Sequence, residues 1–127
     1  MEKLTPESPF KGKTGIRRLW NALHYSLDGL RAALRFESAF RMASVVALIL
    51  IPTALFLPVS PIGKAVLIGS VMLIPIVELL NSAIEASVDH TSLAQHPLAK
   101  RAKDMGSAAQ LLCLASAAMI WTLVLLA

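Results

Sequence analysis

The run MGSAAQLLCLASAAMIWTLVLLA, residues 105–127, contains no charged residue and decides the fold class. An α-helix of about 20 residues crosses the roughly 30 Å hydrocarbon core of a bilayer, so this run is long enough to span a membrane. Trp121 lies near its end, and indole rings favour the interface between lipid and water. The run therefore predicts a transmembrane helix at about residues 103–127.

Two more apolar runs precede this one. Residues 42–59 (MASVVALILIPTALFLPV) carry no charge, and a second run, residues 65–80, follows after a turn that contains two prolines. A proline inside a membrane helix removes one backbone donor but is tolerated when neighbouring helices compensate. We therefore expect two further transmembrane helices, at about residues 37–58 and 62–88.

The composition of the chain also favours a bilayer. Of its 127 residues, 56% are hydrophobic and 16% are charged, whereas an average soluble domain has about 25% charged residues. A soluble domain of this size must cover its surface with polar groups, and this chain has too few. The single cysteine, Cys113, excludes an internal disulfide and predicts a buried structural thiol. A soluble enzyme and a disordered tail are therefore disfavoured.

The basic residues indicate which side of the membrane each segment faces. Only Lys64 lies between the first two spans, whereas Lys100, Arg101 and Lys103 precede the third. Eight of the twelve basic residues come before the first span: Lys3, Lys11, Lys13, Arg17, Arg18, Arg31, Arg35 and Arg41. Because cytoplasmic loops are enriched in Lys and Arg, we expect a cytoplasmic N-terminus and second loop, and an outward C-terminus. Basic residues that flank spans indicate membrane anchors and argue against a nucleic-acid surface.

An amphipathic pattern precedes the first span. Apolar residues recur at steps of three and four: Ile16, Leu19, Trp20, Leu23, Leu27, Leu30 and Leu34. Basic and polar residues lie between them, which suits a helix on the cytoplasmic leaflet; packing against a soluble partner is the alternative. We expect this surface helix at about residues 15–34. Residues 1–14 lack the apolar region of a secretory signal and are expected to form a flexible extension.

Two acids interrupt or end the second span. Glu78 and Glu85 are seven residues apart, so on an α-helix they point within about 20° of each other and are separated by about 10 Å of rise. Asn81, Ser82 and Asp89 fall on the same stripe. A carboxylate at the bilayer centre costs at least about 2.5 kcal/mol on insertion scales, so a functional reason is expected. Bonds that hold helices together, or a proton or ion path, are alternatives, although no second polar span exists to line a path.

A third acid, Glu37, lies at the start of the first span, near the interface that Glu85 also reaches. Two carboxylates at one level can coordinate a hard cation, and Mg²⁺ typically takes one or two carboxylates plus phosphate oxygens. The second loop brings further charges to this interface: Lys100, Arg101, Lys103 and Asp104. Such charges either hold a polyphosphate or only set the topology, and the pattern alone leaves both open.

Three segments have a specific sequence: GLRAALRFESAFR (residues 29–41), VELLNSAIEASVD (77–89) and RAKDMGSAA (101–109). They resemble the bacterial integral-membrane diacylglycerol kinase family, and the similarity runs from about residue 16 to the C-terminus. The resemblance implies a homotrimer of the bacterial inner (cytoplasmic) membrane, with residues 15–127 as a single kinase domain. It implies transfer of the ATP γ-phosphate to the hydroxyl of diacylglycerol, which gives phosphatidic acid.

The resemblance also implies roles for individual residues. Glu78 would be the general base, Asn81 would support it, and Glu37 and Glu85 would hold the Mg²⁺ bound to ATP. Nucleotide contacts are implied for Arg18, Tyr25, Glu37, Glu85, His96, Lys103 and Asp104. A border of the lipid site is implied for Arg18, Arg31, Ala32, Ala33, Leu34, Ala39, Phe40, Arg41, Met42, Ala43, Glu78 and Ser107.

Two alternatives to diacylglycerol kinase activity remain at this point. Related bacterial proteins phosphorylate undecaprenol, and no residue in this sequence measures the shape of an acyl chain. A small membrane scaffold without enzymatic activity, whose acids only hold helices together, is the other alternative. Phosphoryl transfer needs a metal, cations and one oriented base, and the charged residues of this chain can supply all three.

Overall fold

The computed structural model describes residues 15–91 and 96–127. They form four α-helices: α1 (Ile16–Phe36), α2 (Ser38–Phe56), α3 (Pro61–Thr91) and α4 (Pro97–Leu126). The last three are long and apolar enough to cross a membrane, and the described residues contain no strand. The expected all-α membrane fold, an amphipathic helix followed by three spans, is confirmed. The extension expected at residues 1–14 lies outside the described residues.

Helix α1 carries an exposed apolar stripe. Trp20 and Leu23 are both more than half exposed, and the other apolar positions of the pattern are exposed as well. The rings of Trp20 and His24 meet edge to face, with their centroids 4.9 Å apart. The chain forms two compact units, and the first ends at Ala32, within α1. An uncovered apolar face is typical of a helix that lies in a membrane interface.

Glu37 is the single non-helical residue between α1 and α2. Its backbone N–H donates to the carbonyl of Ala33 at 2.9 Å, and its own carbonyl accepts from the N–H of Arg41 at 3.1 Å. The Arg41 side chain donates through Nη1 to the carbonyls of Leu34 and Arg35, at 3.0 and 3.1 Å. Because these carbonyls lack helical partners of their own, the arginine stabilises the end of α1, which runs slightly past the expected boundary.

The turn between α2 and α3 is closed by its own side chains. Ser60 caps α3: its Oγ accepts from the N–H of Gly63 at 3.0 Å, and its carbonyl accepts from the N–H of Lys64 at 2.9 Å. Lys64 Nζ donates to the carbonyl of Leu55 at 2.7 Å, in the last turn of α2. Side chains therefore satisfy backbone groups at both helix ends.

Helix α3 lies at the centre of the second unit and packs against both α2 and α4. The three helices meet at Ala43, Ile74 and Ala117, with Cys113 half-buried beside them. Small side chains let membrane helices approach closely. Buried positions on α3 recur every three or four residues: Leu67, Ser70, Val71, Ile74, Glu78, Asn81 and Ser82. The centre of the bundle therefore holds polar side chains as well as apolar ones.

Helix α4 begins at Pro97, earlier than the boundary expected at about residue 103. His96 is its N-cap residue, and its Nδ1 accepts from the backbone N–H of Leu98 at 3.1 Å. A proline in the first helical position is favourable, because the N–H that it lacks would have no helical partner. The charged residues expected in a loop are therefore helical and continuous with the third span.

Candidate active site

The polar stripe of α3 faces the interior of the helix bundle. Glu78, Asn81 and Ser82 are 8%, 7% and 6% exposed. Further along α3, Glu85 is half-buried and Asp89 is exposed. The stripe therefore leads from a buried carboxyl group to the end of the helix, as the seven-residue spacing predicts.

Glu78 is a buried carboxyl group without a partner in the described chain. Its side chain forms no hydrogen bond and no ion pair with residues 15–91 or 96–127. Burying a polar group without a hydrogen bond costs about 1–3 kcal/mol on protein scales. The idea that Glu78 bonds neighbouring helices finds no such bond within these residues, and the carboxyl group is available to a substrate.

Asn81 meets α4 at Gly106, one turn beyond Glu78. A Cβ atom on Gly106 would collide with Asn81 Oδ1 and would lie 3.7 Å from Ile84 Cδ1. The Oδ1 atom is fully buried and accepts no hydrogen bond in the described chain. Glycine at position 106 therefore permits a close approach of the two helices, and the approach encloses an unpaired amide oxygen near the carboxyl group.

Lys103 joins the ends of α3 and α4. Its Nζ lies 3.0 Å from Asp89 Oδ1, and Glu85 also attracts the ammonium group electrostatically. Within α4, Lys100 Nζ lies 2.6 Å from Asp104 Oδ2. Exposed ion pairs of this kind contribute at most about 1 kcal/mol, so they can be exchanged for a phosphate. Of the expected site residues, the structure brings Glu85 and Lys103 together, whereas Asp104 pairs with its neighbour.

The expected Mg²⁺ ligands, Glu37 and Glu85, are both half-buried, and neither side chain forms a hydrogen bond or ion pair within the described residues. Glu37 is the N-cap residue of α2, but its side chain makes no capping bond. No group of three or more His, Cys, Asp or Glu residues could hold a metal ion in the described ranges. Since Mg²⁺ can take one or two carboxylates plus phosphate oxygens, these residues fit an ion held jointly with a nucleotide.

The other expected site residues divide between the two compact units. Four lie in the first unit and are exposed: Arg18, Tyr25, Arg31 and Ala32. Five exposed ones lie in the second unit with the helix-capping His96: Leu34, Ala39, Arg41, Met42 and Ser107. The remaining three are buried: Ala33, Phe40 and Ala43. The expected lipid border on α2 therefore includes both exposed and buried positions.

Two hydrogen bonds between α3 and α4 were not anticipated from the sequence. Gln110 Nε2 donates to the carbonyl of Ile74 at 3.1 Å. Trp121 Nε1 donates to Ser70 Oγ at 3.2 Å, and that hydroxyl donates to the carbonyl of Leu67 at 2.7 Å. Trp121, expected as an interfacial anchor, is therefore half-buried against α3. The available signal was the presence of polar residues inside apolar runs.

Three apolar spans around buried polar side chains, with charges at one end, define a multi-pass helical membrane protein with a candidate catalytic site between its helices. The model of the family described as prokaryotic diacylglycerol kinase matches residues 24–125. The chain belongs to this family, as the resemblance implied.

Several curated relatives carry the name diacylglycerol kinase. The relative from Pseudomonas aeruginosa is 53% identical over 119 residues, 94% of this chain and 97% of its own. The Escherichia coli K12 relative is 48% identical over 112 residues, 88% of this chain and 92% of its own. The Helicobacter pylori relative is 48% identical over 121 residues, 95% of this chain and 94% of its own. The chain is therefore a kinase of a bacterial membrane, which argues against a scaffold without activity.

Proposed function

We propose that the chain transfers the γ-phosphate of ATP to the hydroxyl group of diacylglycerol and so produces phosphatidic acid. The main support is Glu78, a buried carboxyl group on a stripe that leads past Glu85 to the charged ends of α3 and α4. The reaction joins a water-soluble nucleotide to an alcohol in the bilayer, so it needs one deep group and one shallow group. The shared name of the relatives supports diacylglycerol as the acceptor.

Glu78 acts as the general base in this proposal. Its carboxylate accepts the proton of the lipid hydroxyl while the hydroxyl oxygen forms a bond to the γ-phosphorus. The bond from the γ-phosphorus to the bridging oxygen breaks, and ADP leaves. Phosphoryl transfer depends mostly on positioning and on neutralising charge, so one well-oriented base is sufficient. Asn81, on the same buried face, supports the base.

The nucleotide binds at the charged end of the spans. Glu37 and Glu85 would hold Mg²⁺ there, and the ion would neutralise charge on the phosphates. Lys103 is suited to phosphate because its pair with Asp89 is partly exposed and exchangeable. The remaining nucleotide contacts are those expected from the sequence: Arg18, Tyr25, His96 and Asp104. The lipid border expected along α1 and α2 completes the proposed site.

The proposal includes a homotrimer with its N-terminus in the cytoplasm. In the single chain, 6% of the most apolar stretch of α4 is buried, against 28% of that of α3. Helix α4 therefore presents most of its apolar surface to lipid or to neighbouring copies. The excess of basic residues before α2 supports the cytoplasmic position of the N-terminus.

Membranes that contain the full chain test the activity and its acceptor. With ATP labelled in the γ-position, we expect label in phosphatidic acid when diacylglycerol is supplied. Undecaprenol, assayed side by side, is expected to accept far less. Label in undecaprenyl phosphate alone would overturn the proposed acceptor and keep the chemistry, whereas label in neither lipid would overturn the proposed reaction.

Replacing Glu85 with glutamine is expected to raise the Mg²⁺ concentration for half-maximal activity by about ten-fold or more, because a site with two carboxylates loses one charged donor. Initial rates over a Mg²⁺ titration at fixed ATP measure this shift. Asp28→Asn is the control, since it also removes an exposed carboxylate, but from α1 and without a proposed metal role. An unchanged Mg²⁺ requirement in Glu85→Gln would exclude this residue as a ligand.

A further inference from the structure

Gln110 forms a hydrogen bond between α4 and the backbone of α3, close to the proposed base. Its Nε2 donates to the carbonyl of Ile74 at 3.1 Å. In an α-helix the carbonyl of each residue accepts the N–H four residues later, so the Ile74 carbonyl also serves the N–H of Glu78. The bond from α4 therefore ends on the turn of α3 that carries Glu78.

This turn of α3 lacks one of its own hydrogen bonds. Pro75 lies inside α3 and has no N–H, so the carbonyl of Val71 loses its usual helical partner. Proline is tolerated in a membrane helix when neighbouring helices supply compensating contacts. The bond from Gln110 is such a contact, and it lies one residue from the proline and four residues from Glu78.

Stability alone explains the amide of Gln110 poorly. Its Oε1 is fully buried and has no hydrogen-bond partner among the described residues. An unpaired buried acceptor offsets much of what the Nε2 bond contributes. An apolar side chain of similar volume would fill the space without that cost, so the amide needs a reason other than packing.

We propose that Gln110 is a positioning residue for phosphoryl transfer, and that its bond to the Ile74 carbonyl fixes the turn that orients the Glu78 carboxyl group toward the lipid hydroxyl. This inference rests on the proposed role of Glu78 as the base. Gln110 itself touches no substrate in this scheme. Its loss therefore changes kcat rather than the KM of either substrate.

Three substitutions of Gln110 test the bond. Gln110→Leu removes the donor and also the unpaired oxygen, so we expect kcat to fall by about three-fold to ten-fold while both KM values and the thermal stability stay near wild type. Gln110→Asn keeps an amide but is one methylene too short, and should behave like leucine. Gln110→His places a ring N–H at a similar reach and should recover most of kcat.

Trp121→Phe is the matched control. It removes the other side-chain hydrogen bond between the same helices, from Trp121 Nε1 to Ser70 Oγ at 3.2 Å. Ser70 lies about 12 Å along the helix axis from Glu78, from eight residues at about 1.5 Å each. We expect this variant to lower the thermal stability and to leave kcat unchanged.

The outcomes separate this inference from the proposed function. Wild-type kcat in Gln110→Leu, beside an inactive Glu78→Gln variant, would overturn the positioning role alone. Equal losses of kcat and stability in Gln110→Leu and Trp121→Phe would also overturn it, because they would indicate general packing. An active Glu78→Gln variant would instead overturn the proposed base. Kinetics of purified protein in micelles that contain diacylglycerol supply kcat and both KM values.

Discussion

Replacing Glu78 with glutamine is expected to reduce kcat by about 10²–10⁴-fold, the contribution of a positioned general base. The amide has nearly the same shape as the carboxyl group but cannot take the proton of the lipid hydroxyl. The KM values should change far less than kcat, because the lost interaction belongs mainly to the transition state. Steady-state rates of the purified protein with diacylglycerol and ATP measure the effect.

Ser82→Ala is the control for this substitution. It removes another buried polar group from the same face of α3, where Ser82 is 6% exposed, and it should keep kcat near wild type. Thermal unfolding should show Glu78→Gln to be at least as stable as wild type, since an amide is easier to bury than an unpaired carboxylate. If Glu78→Gln turned over at the rate of Ser82→Ala, Glu78 would not be the base.

Replacing Gly106 with alanine is expected to lower kcat by about ten-fold to a hundred-fold, because forcing extra atoms into a packed interior costs about 1–3 kcal/mol. The new methyl group would collide with Asn81 Oδ1. The Asn81 side chain is short and buried, so relief requires either that its amide leaves its place or that α4 moves away from α3. Both movements disturb the face that carries Glu78.

Gly69→Ala is the matched control for the packing effect. Gly69 also lies in a membrane helix, but a Cβ atom added there meets no atom within 4 Å. We expect wild-type kcat in this variant, and the same turnover assay compares the two alanines directly. Wild-type kcat in Gly106→Ala would show that the close contact between α3 and α4 is not required for activity.

The sequence was sufficient to predict the spans and the polar stripe, because both follow from local periodicity. Charge-free runs have the length of a bilayer, and the seven-residue spacing of Glu78 and Glu85 places them on one helix face. The structure confirms three apolar helices and shows that the stripe is directed into the bundle. The motifs around these acids were also specific enough to indicate the family.

The contacts between helices could not be predicted in the same way. They depend on how far one helix is shifted along another, and that shift is set by packing of side chains distant in sequence. The bonds from Lys103 to Asp89 and from Gln110 to the backbone of Ile74 are of this kind. The early start of α4 was missed for a local reason, since the capping function of His96 was not considered.

The turn that joins α2 to α3 bears on how the protein is inserted during synthesis. Ser60 and Lys64 satisfy backbone groups at both ends of this turn, so it needs no later part of the chain. The two helices can therefore enter the bilayer together as a hairpin before α4 has been translated. Carrying a lysine across hydrocarbon is costly, and its bond near the electronegative end of α2 lessens that cost. The hairpin then serves as the template on which the last helix docks.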